Sequence, residues 1–258
     1  MKFKFESLLL AVFPVRIARL LSPRLRRSIH ARARVGFSYV GADSLKLGPH
    51  ARIGHLNWIR VNGLELSERA YIGHFNQISG SLVARLDVNA GIGNSNGISR
   101  SMANDGSPSL LKLGVWSKIT ASHKVNMADD VIIGDYSTIA GSGSQIWTHG
   151  YVHAEQGIDR YRIDGPVEIG NNVYVGSMCF VSMGVRIANG VIVGGGTSVA
   201  KDLLEPGLYV SSPIRKLPRP ADPDTRGDLE RVSDSAGDIV YAKRRTDHVE
   251  VRKDQDNA

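Results

Sequence analysis

An all-β fold, a parallel β-helix, is predicted by three observations on this 258-residue sequence. The first is a column in which Ile169, Val175, Val181, Ile187, Val193 and Val199 recur every six residues without a miss. The second is a companion column two positions earlier: Val167, Val173, Cys179, Val185, Val191 and Thr197. Residues two apart on an extended strand point the same way, so both columns face one interior. The third is the small residue after the aliphatic one, as at Gly170, Gly176 and Gly194, where the chain bends. A helix would space apolar residues about 3.6 apart, and hairpins would not punctuate the chain at every hexad. Hexads mark a coil of three short faces stacked on the next coil.

The same frame runs upstream, with slips, through Leu47, Ile53 and Ile59, then Ile72 and Ile78, then Ile92 and Ile98. Leu113, Ile119 and Val125 follow, and Ile133 and Ile139 close the series. Three hexads per coil give residues 47–204 about seven coils, a prism roughly 30–35 Å tall at ~4.8 Å per strand. Asn57, Asn76 and Asn96 recur at about one coil, as a hydrogen-bonded ladder along one edge or as residues suited to tight corners. Cys179 falls in an aliphatic column and reads as a packing residue. The frame stumbles at Gln145–Ile146, and residues 147–166 form a loop ejected from the prism. A long loop inside a strict repeat is a functional candidate.

The ends differ from this body. Residues 1–34 hold nine Lys/Arg against the single Glu6, so the chain's net charge of +7 belongs to an arm. Within it, VRIARLL at 15–21 predicts a helix that places Ile17, Leu20 and Leu21 on one face, started by Pro14 and stopped at Ser22–Pro23. From Arg219 onward the sequence is rich in Asp and Arg and poor in apolar residues, which predicts a largely disordered tail. The expected organisation is a basic helical arm over 1–40, the β-helix with its loop 147–166 over 41–212, and a poorly ordered tail over 213–258. One cysteine excludes an internal disulfide framework and a cysteine-built zinc site. No apolar run approaches the roughly 20 residues of a membrane-spanning helix. A signal peptide is not expected, since the apolar run 8–15 is short and Arg16 and Arg19 follow it without a cleavage site.

At IGNNVYVGS (169–177), VGGGTSVAKDLLEPG (193–207) and SSPIRK (211–216) the chain resembles the hexapeptide-repeat acyltransferases, which include sugar O-acetyltransferases. The resemblance covers roughly residues 45–216 and implies a left-handed coil, a homotrimer and an acetyl-CoA groove between neighbouring subunits. Carried over position by position, it assigns Tyr174, Ser177, Gly195, Ala200, Lys201 and Arg215 to acetyl-CoA, with Lys201 and Arg215 toward its phosphates. Ala200 departs from the family's usual Thr, and Ser211–Ser212 from its Gly-Asn. The loop pair Thr148–His149 matches the pair whose histidine is the family's general base, and an imidazole suits proton removal from an alcohol at neutral pH. Glu155, Asp159 and Asp164 are candidates to orient it. Trp147, His123, Asn126 and His153 are acceptor candidates, although His123 also fits an inward, buried slot.

The resemblance therefore implies acetyl transfer from acetyl-CoA to a sugar hydroxyl, on a nucleotide sugar or glycan of surface polysaccharide or lipopolysaccharide synthesis. No metal and no nucleic acid are expected. A cytoplasmic protein is expected, with residues 1–34 resting on the inner membrane face, capping the open prism, or doing both. Two other classes stay open: a γ-carbonic-anhydrase-like metalloenzyme using His123, His149 and His153, and a non-catalytic β-helix scaffold.

Overall fold

The computed structural model describes residues 5–100, 107–211, 222–235 and 238–244. Its body is a triangular prism of parallel strands. Face 1 is a nine-stranded sheet running from Arg34–Val35 to Gly207–Tyr209. Faces 2 and 3 are joined into one 13-stranded sheet by Trp58–Leu66, which is long enough to turn the edge between them. The hexad columns become physical ones. Ile53, Ile72, Ile92, Ile119, Ile139, Val175 and Val193 lie in unbroken register down face 1. All seven are 3% exposed or less, which makes the column a continuous dry seam. Burial of each such side chain is worth about 1.5–3 kcal/mol.

Successive steps along this column are 19, 20, 27, 20, 36 and 18 residues. The seven coils predicted for 47–204 are present, with a further rung at Arg34–Val35 and another at Gly207–Tyr209. The β-helix therefore begins before residue 41. The two long steps hold their surplus at the edge between faces 2 and 3, after Gly97–Ser99 and after Gln145–Ile146. Gln145–Ile146 is itself regular, paired with Lys124–Val125 and Phe180–Val181. The apparent stumble is absorbed one turn earlier, where the register shifts between Ile119 and Ala121 and Gly141 and Gly143 adopt φ of 66° and 77°.

The corners follow a different rule from the one the sequence suggests. Left-handed turn positions are taken mostly by larger residues in two columns, such as Arg69, Asn89 and Trp116 on one edge and Leu56, Phe75 and Met178 on another. The glycine after the aliphatic residue serves close stacking instead. A Cβ on Gly54 would come within 2.3 Å of the Gly73 carbonyl oxygen on the next coil.

The asparagines do form a ladder. Asn57 Oδ1 accepts from the Asn76 backbone and side-chain amides at 2.9 and 3.0 Å, and Asn76 Oδ1 does the same for Asn96. The ladder continues through His123, whose backbone N–H donates to Asn96 Oδ1 at 2.9 Å. His123 Nδ1 then accepts from the Ser144 N–H at 3.1 Å, and Nε2 lies 2.9 Å from Thr120 Oγ1. Ser144 Oγ accepts from the Cys179 N–H one coil further. His123 is 1% exposed with both ring nitrogens engaged, which removes it from the acceptor candidates. It is a rung that lets a polar corner be buried without orphaned groups. Cys179 is buried as a packing residue, its Sγ 3.2 Å from the Gly194 carbonyl oxygen.

Three helices close the N-terminal end. α1 (Phe5–Val12) buries Ser7, Leu9 and Leu10, α2 (Val15–Leu21) buries Ala18, and α3 (Pro23–Ser28) buries Leu25. The predicted helix over 15–21 is α2. Ser22 ends it and also caps α3, its Oγ accepting from the Leu25 N–H. The apolar face of α2 points outward, with Leu20 73% and Leu21 54% exposed. No described helix is long and apolar enough to cross a membrane.

The ejected loop and part of the tail form a second, small sheet. His149–His153 pairs antiparallel with Arg160–Asp164, and Asp238–Lys243 adds in parallel to the latter. Leu229–Ser235 completes it. This stretch of tail, expected to lack structure, folds because Leu229, Ile239 and Tyr241 meet Val152, Tyr161, Ile163 and Met183 in a local core. Low overall apolar content concealed a two-residue alternation. Tyr241 also donates to Asp224 Oδ1 at 2.7 Å, which together with burial pushes its hydroxyl pKa up to about 12.

Candidate active site

The edge between faces 2 and 3 gathers the chemically capable groups. Asn126 ends one face-2 strand, and Trp147 and Thr148 follow the next one. Chain entering this edge turns into the hairpin 149–164 instead of continuing to face 3. The hairpin alternates: Gly150, Val152, Tyr161 and Ile163 take one face, while His149, Tyr151, His153, Arg160, Arg162 and Asp164 share the other. His149 is thus set beside Asn126.

His149 Nδ1 lies 2.8 Å from Asn126 Oδ1. The Ala128 N–H donates to the same oxygen at 3.2 Å, which fixes the amide with Oδ1 toward the ring. Nδ1 therefore carries the proton in the neutral ring, and the Nε2 lone pair is available. Thr148, fully buried, locks the turn: its Oγ1 contacts the Asn126 carbonyl oxygen at 3.0 Å and accepts from the Asp129 N–H at 3.0 Å. Burial lowers the His149 pKa, and the Arg162 charge lowers it further against the opposing pull of Asp164. The ring is held as a neutral base across a wider acid range than a free imidazole.

None of Glu155, Asp159 and Asp164 orients His149 by a side-chain hydrogen bond; the amide of Asn126 has that place. Asp164 is instead committed to Arg162 in a two-pronged pair at 2.6 and 2.7 Å. Arg162 is only 4% exposed, and its bond to Asp164 holds its pKa up against the burial that lowers it. Arg100, 8% exposed, stands in the same field of Asp129, Asp130, Asp164 and Arg162, and burial lowers its pKa. Its Nη1 donates to the Ser81 and Ser107 carbonyl oxygens.

Along the outer side of the hairpin runs an aromatic row. Trp147 meets His149 edge-on at 5.5 Å between ring centroids, His149 meets Tyr151 at 5.8 Å, and Tyr151 meets His153 at 6.2 Å. Arg160 lies 5.0 Å over the Tyr151 ring. Trp147 is half-buried, its Nε1 donating to Gln145 Oε1 at 2.9 Å, so the pyrrole edge of the indole is anchored. His153 ends this row, away from Asn126. Tyr151, Arg100 and Arg162 were not among the sequence candidates. The alternation HGYVH and RYRID in the loop is the signal that places Tyr151 and Arg162 on the His149 face.

The donor candidates fall on two edges. Val199 is in register with Val181, Ile146 and Val125, so Ala200 and Lys201 leave face 2 at the His149 edge, two rungs or ~10 Å along the prism. Tyr174, Ser177 and Gly195 lie across face 2, on face 1 and the edge that joins it to face 2. There the Gly196 N–H donates to the Ser177 carbonyl oxygen at 2.8 Å, and a Cβ on Gly196 would meet nothing within 4 Å. Tyr174, Ser177, Ala200 and Lys201 are exposed. Arg215 lies outside the described residues.

The metal reading gains no support from this geometry. His123 sits inside the prism at a different edge from His149, and no group of three His, Cys, Asp or Glu among the described residues is placed to hold a metal ion.

No protein-family model matches the chain. It is similar to the galactoside O-acetyltransferase of Escherichia coli (strain K12), 31% identical over 99 residues, which are 38% of this chain and 49% of that protein. It is also similar to YvoF of Bacillus subtilis (strain 168), provisionally named an acetyltransferase, 35% identical over 79 residues, 31% of this chain and 42% of that protein. The matches thus span about half the length of these curated relatives or less. Among solved structures, the polySia-specific acetyltransferase NeuO aligns over 87% of this chain and 84% of its own at 17% identity and a TM-score of 0.42.

Proposed function

We propose that the protein is an O-acetyltransferase that moves an acetyl group from acetyl-CoA to a sugar hydroxyl, with His149 as general base. The observation that carries this reading is the Asn126–His149 pair, whose anchored amide holds Nδ1 and leaves the Nε2 lone pair uncommitted beside a row of aromatic rings. In the step that follows from it, Nε2 takes the proton of the acceptor hydroxyl as its oxygen attacks the thioester carbonyl. The tetrahedral intermediate collapses with cleavage of the C–S bond, and the imidazolium returns the proton to the departing thiolate. Trp147 and Tyr151 offer flat apolar faces to a sugar ring, with Asn126 and His153 beside them. A nucleotide sugar or a glycan of surface polysaccharide synthesis is the acceptor class, in keeping with the sugar-directed relative.

The donor residues support an assembled site. Lys201 stands on the His149 edge, whereas Tyr174, Ser177 and Gly195 stand on another, so a complete groove requires the second edge of a neighbouring copy. That is a head-to-tail contact, which closes as a ring where its rotation allows, and a homotrimer is the ring the family resemblance implies. The second edge carries the exposed apolar residues such a contact would cover: Leu56 at 64%, Phe75 at 59% and Met178 at 68% exposure. In this arrangement Lys201 meets phosphates of the donor, the role that the family resemblance also gives Arg215, and the open backbone over Gly195–Gly196 admits its pantetheine arm. The outward Leu20 and Leu21 of α2, beside Arg16 and Arg19, suit contact with an anionic membrane surface from the cytoplasmic side.

The test is transfer from labelled acetyl-CoA to a panel of sugars and nucleotide sugars. His149→Ala is expected to lower transfer about 10²-fold or more while coenzyme A binding persists. Unchanged transfer in that variant, or no transfer by the wild-type chain to any sugar hydroxyl, contradicts the reading.

A further inference from the structure

A hollow that this mechanism leaves unused lies on face 1, across the prism from the His149 edge. It measures about 480 Å³ and adjoins a second of about 600 Å³ toward α2, with which it shares Arg32, Arg34 and His50. Face 1 builds its floor from the outward residues of successive rungs: Arg34, Arg52, Tyr71, Gly91 and Lys118, all in register. The wall comes from the left-handed turn column, where Arg69, Asn89 and Trp116 each hold φ near +60° and project side by side.

Two features give this hollow a ligand class. The first is charge: four arginines and Lys118 line it and no carboxylate does. Glu68, beside Arg69 in the chain, lies 3.4 Å from it. Like charges held this close repel unless an anion joins them, and arginine forks match carboxylate and phosphate oxygens. The second is flat apolar surface. The Tyr71 ring lies across Gly91, where a Cβ would sit 2.2 Å from it, and Arg52 stacks 5.8 Å from the ring centroid. Trp116, 49% exposed, stands as the facing wall. Cations interleaved with aromatic faces suit rings that carry charge.

The length decides between a single ion and a chain. From Arg34 to Lys118 is four rungs, ~19 Å, too long for one phosphate group to engage both ends. We propose that this groove binds a linear acidic glycan, engaging several carboxylate- or phosphate-bearing sugar units at once. It is an exosite, because the prism separates it from the His149 of its own chain. That the bound polymer is also the acetyl acceptor rests on the acetyl-transfer reading; the binding itself does not.

Calorimetric titration of the full chain with oligogalacturonates of defined length tests this, with maltooligosaccharides and an oligo-dT of equal length as the other probes. Affinity for the oligogalacturonates is expected to rise with length and level off once the groove is spanned. The neutral series should bind at least about tenfold more weakly, and oligo-dT more weakly than the acidic glycan. Arg52→Ala combined with Lys118→Ala should lower affinity about tenfold, and Trp116→Ala should weaken it without changing its salt dependence. The proposal is overturned by binding that ignores length, by equal affinity for oligo-dT, or by unaltered affinity in these surface variants. It is also overturned if the double variant changes the sedimentation of the ligand-free protein, which would make the face a contact between copies. Because binding is the readout, loss of sugar acetylation sinks the enzymatic reading alone, and length-independent binding sinks the groove alone.

Discussion

His123 and His149 are the same side chain at two edges of one prism, and the edges give them opposite fates. The edge of His123 is regular. From Ser38 through Asn57, Asn76, Asn96 and His123 to Ser144, successive coils place a hydrogen-bonding group there, and each satisfies the next. Nothing at that position is free to meet a substrate. The edge of His149 is the one at which coils lengthen, and its imidazole has one nitrogen held by Asn126 and the other available. A repeat that forces identical neighbours consumes polar groups in structure, whereas a departure from the repeat releases them for chemistry.

The largest expected effect tests whether the interrupted edge is held by charge. Asp164→Ala strands the buried Arg162 guanidinium and should cost about 3–5 kcal/mol, read by chemical denaturation and by faster amide exchange in the 149–164 hairpin. A loss under 1 kcal/mol would show that the pair does not hold this edge together. Next, Asn76→Ala breaks the regular edge in its middle. It removes the acceptor of the buried Asn96 backbone N–H and leaves Asn57 Oδ1 with the backbone N–H of position 76 alone, and should cost about 1–3 kcal/mol, seen as a lower denaturation midpoint. An unaltered midpoint would mean that the ladder is ornament.

A smaller effect separates the two partners of the candidate base. Asn126→Ala leaves His149 in place but frees its tautomer, and loss of one hydrogen bond of about 1.4 kcal/mol corresponds to a tenfold fall in transfer. The smallest is a pH effect shared by both histidines. Burial lowers both pKa values below the ordinary value near 6.5, so below that pH the unfolded chain binds more protons than the folded one. Stability contributed by the neutral rings is present above about pH 6.5 and is lost as the pH falls toward the depressed folded values. Melting temperature should decline on acidification from neutrality, and less steeply in a His149→Asn variant. For catalysis the same shift predicts a rate profile whose acid limb lies below the usual imidazole range.

The contrast also explains which parts of the molecule were legible in the sequence. Ile53, Ile72 and Ile92 could be read as a column because a coil imposes the same inward demand at every turn, and α2 could be bounded by Pro14 and Ser22. The partner of His149 could not be read in the same way. Asn126 reaches it through a fold-back of the chain, so a carboxylate in the loop was the natural expectation and an amide one coil earlier is what the geometry supplies. The strands Leu229–Ser235 and Asp238–Lys243 were hidden for a related reason. They bury few residues, and only against a hairpin that the repeat does not predict. Tyr151 and Arg162 were within reach, since the loop's two-residue alternation already sets them on one face with His149.

One paired measurement separates a structural regular edge from a chemical interrupted one. Transfer from acetyl-CoA and melting temperature would be recorded for His123→Ala and for His149→Ala. His149→Ala is expected to lose about 10²-fold or more in transfer at an almost unchanged melting temperature, while His123→Ala melts earlier and keeps its turnover below its melting point. Full turnover in His149→Ala, or a collapse of turnover in a still-folded His123→Ala, would contradict that division.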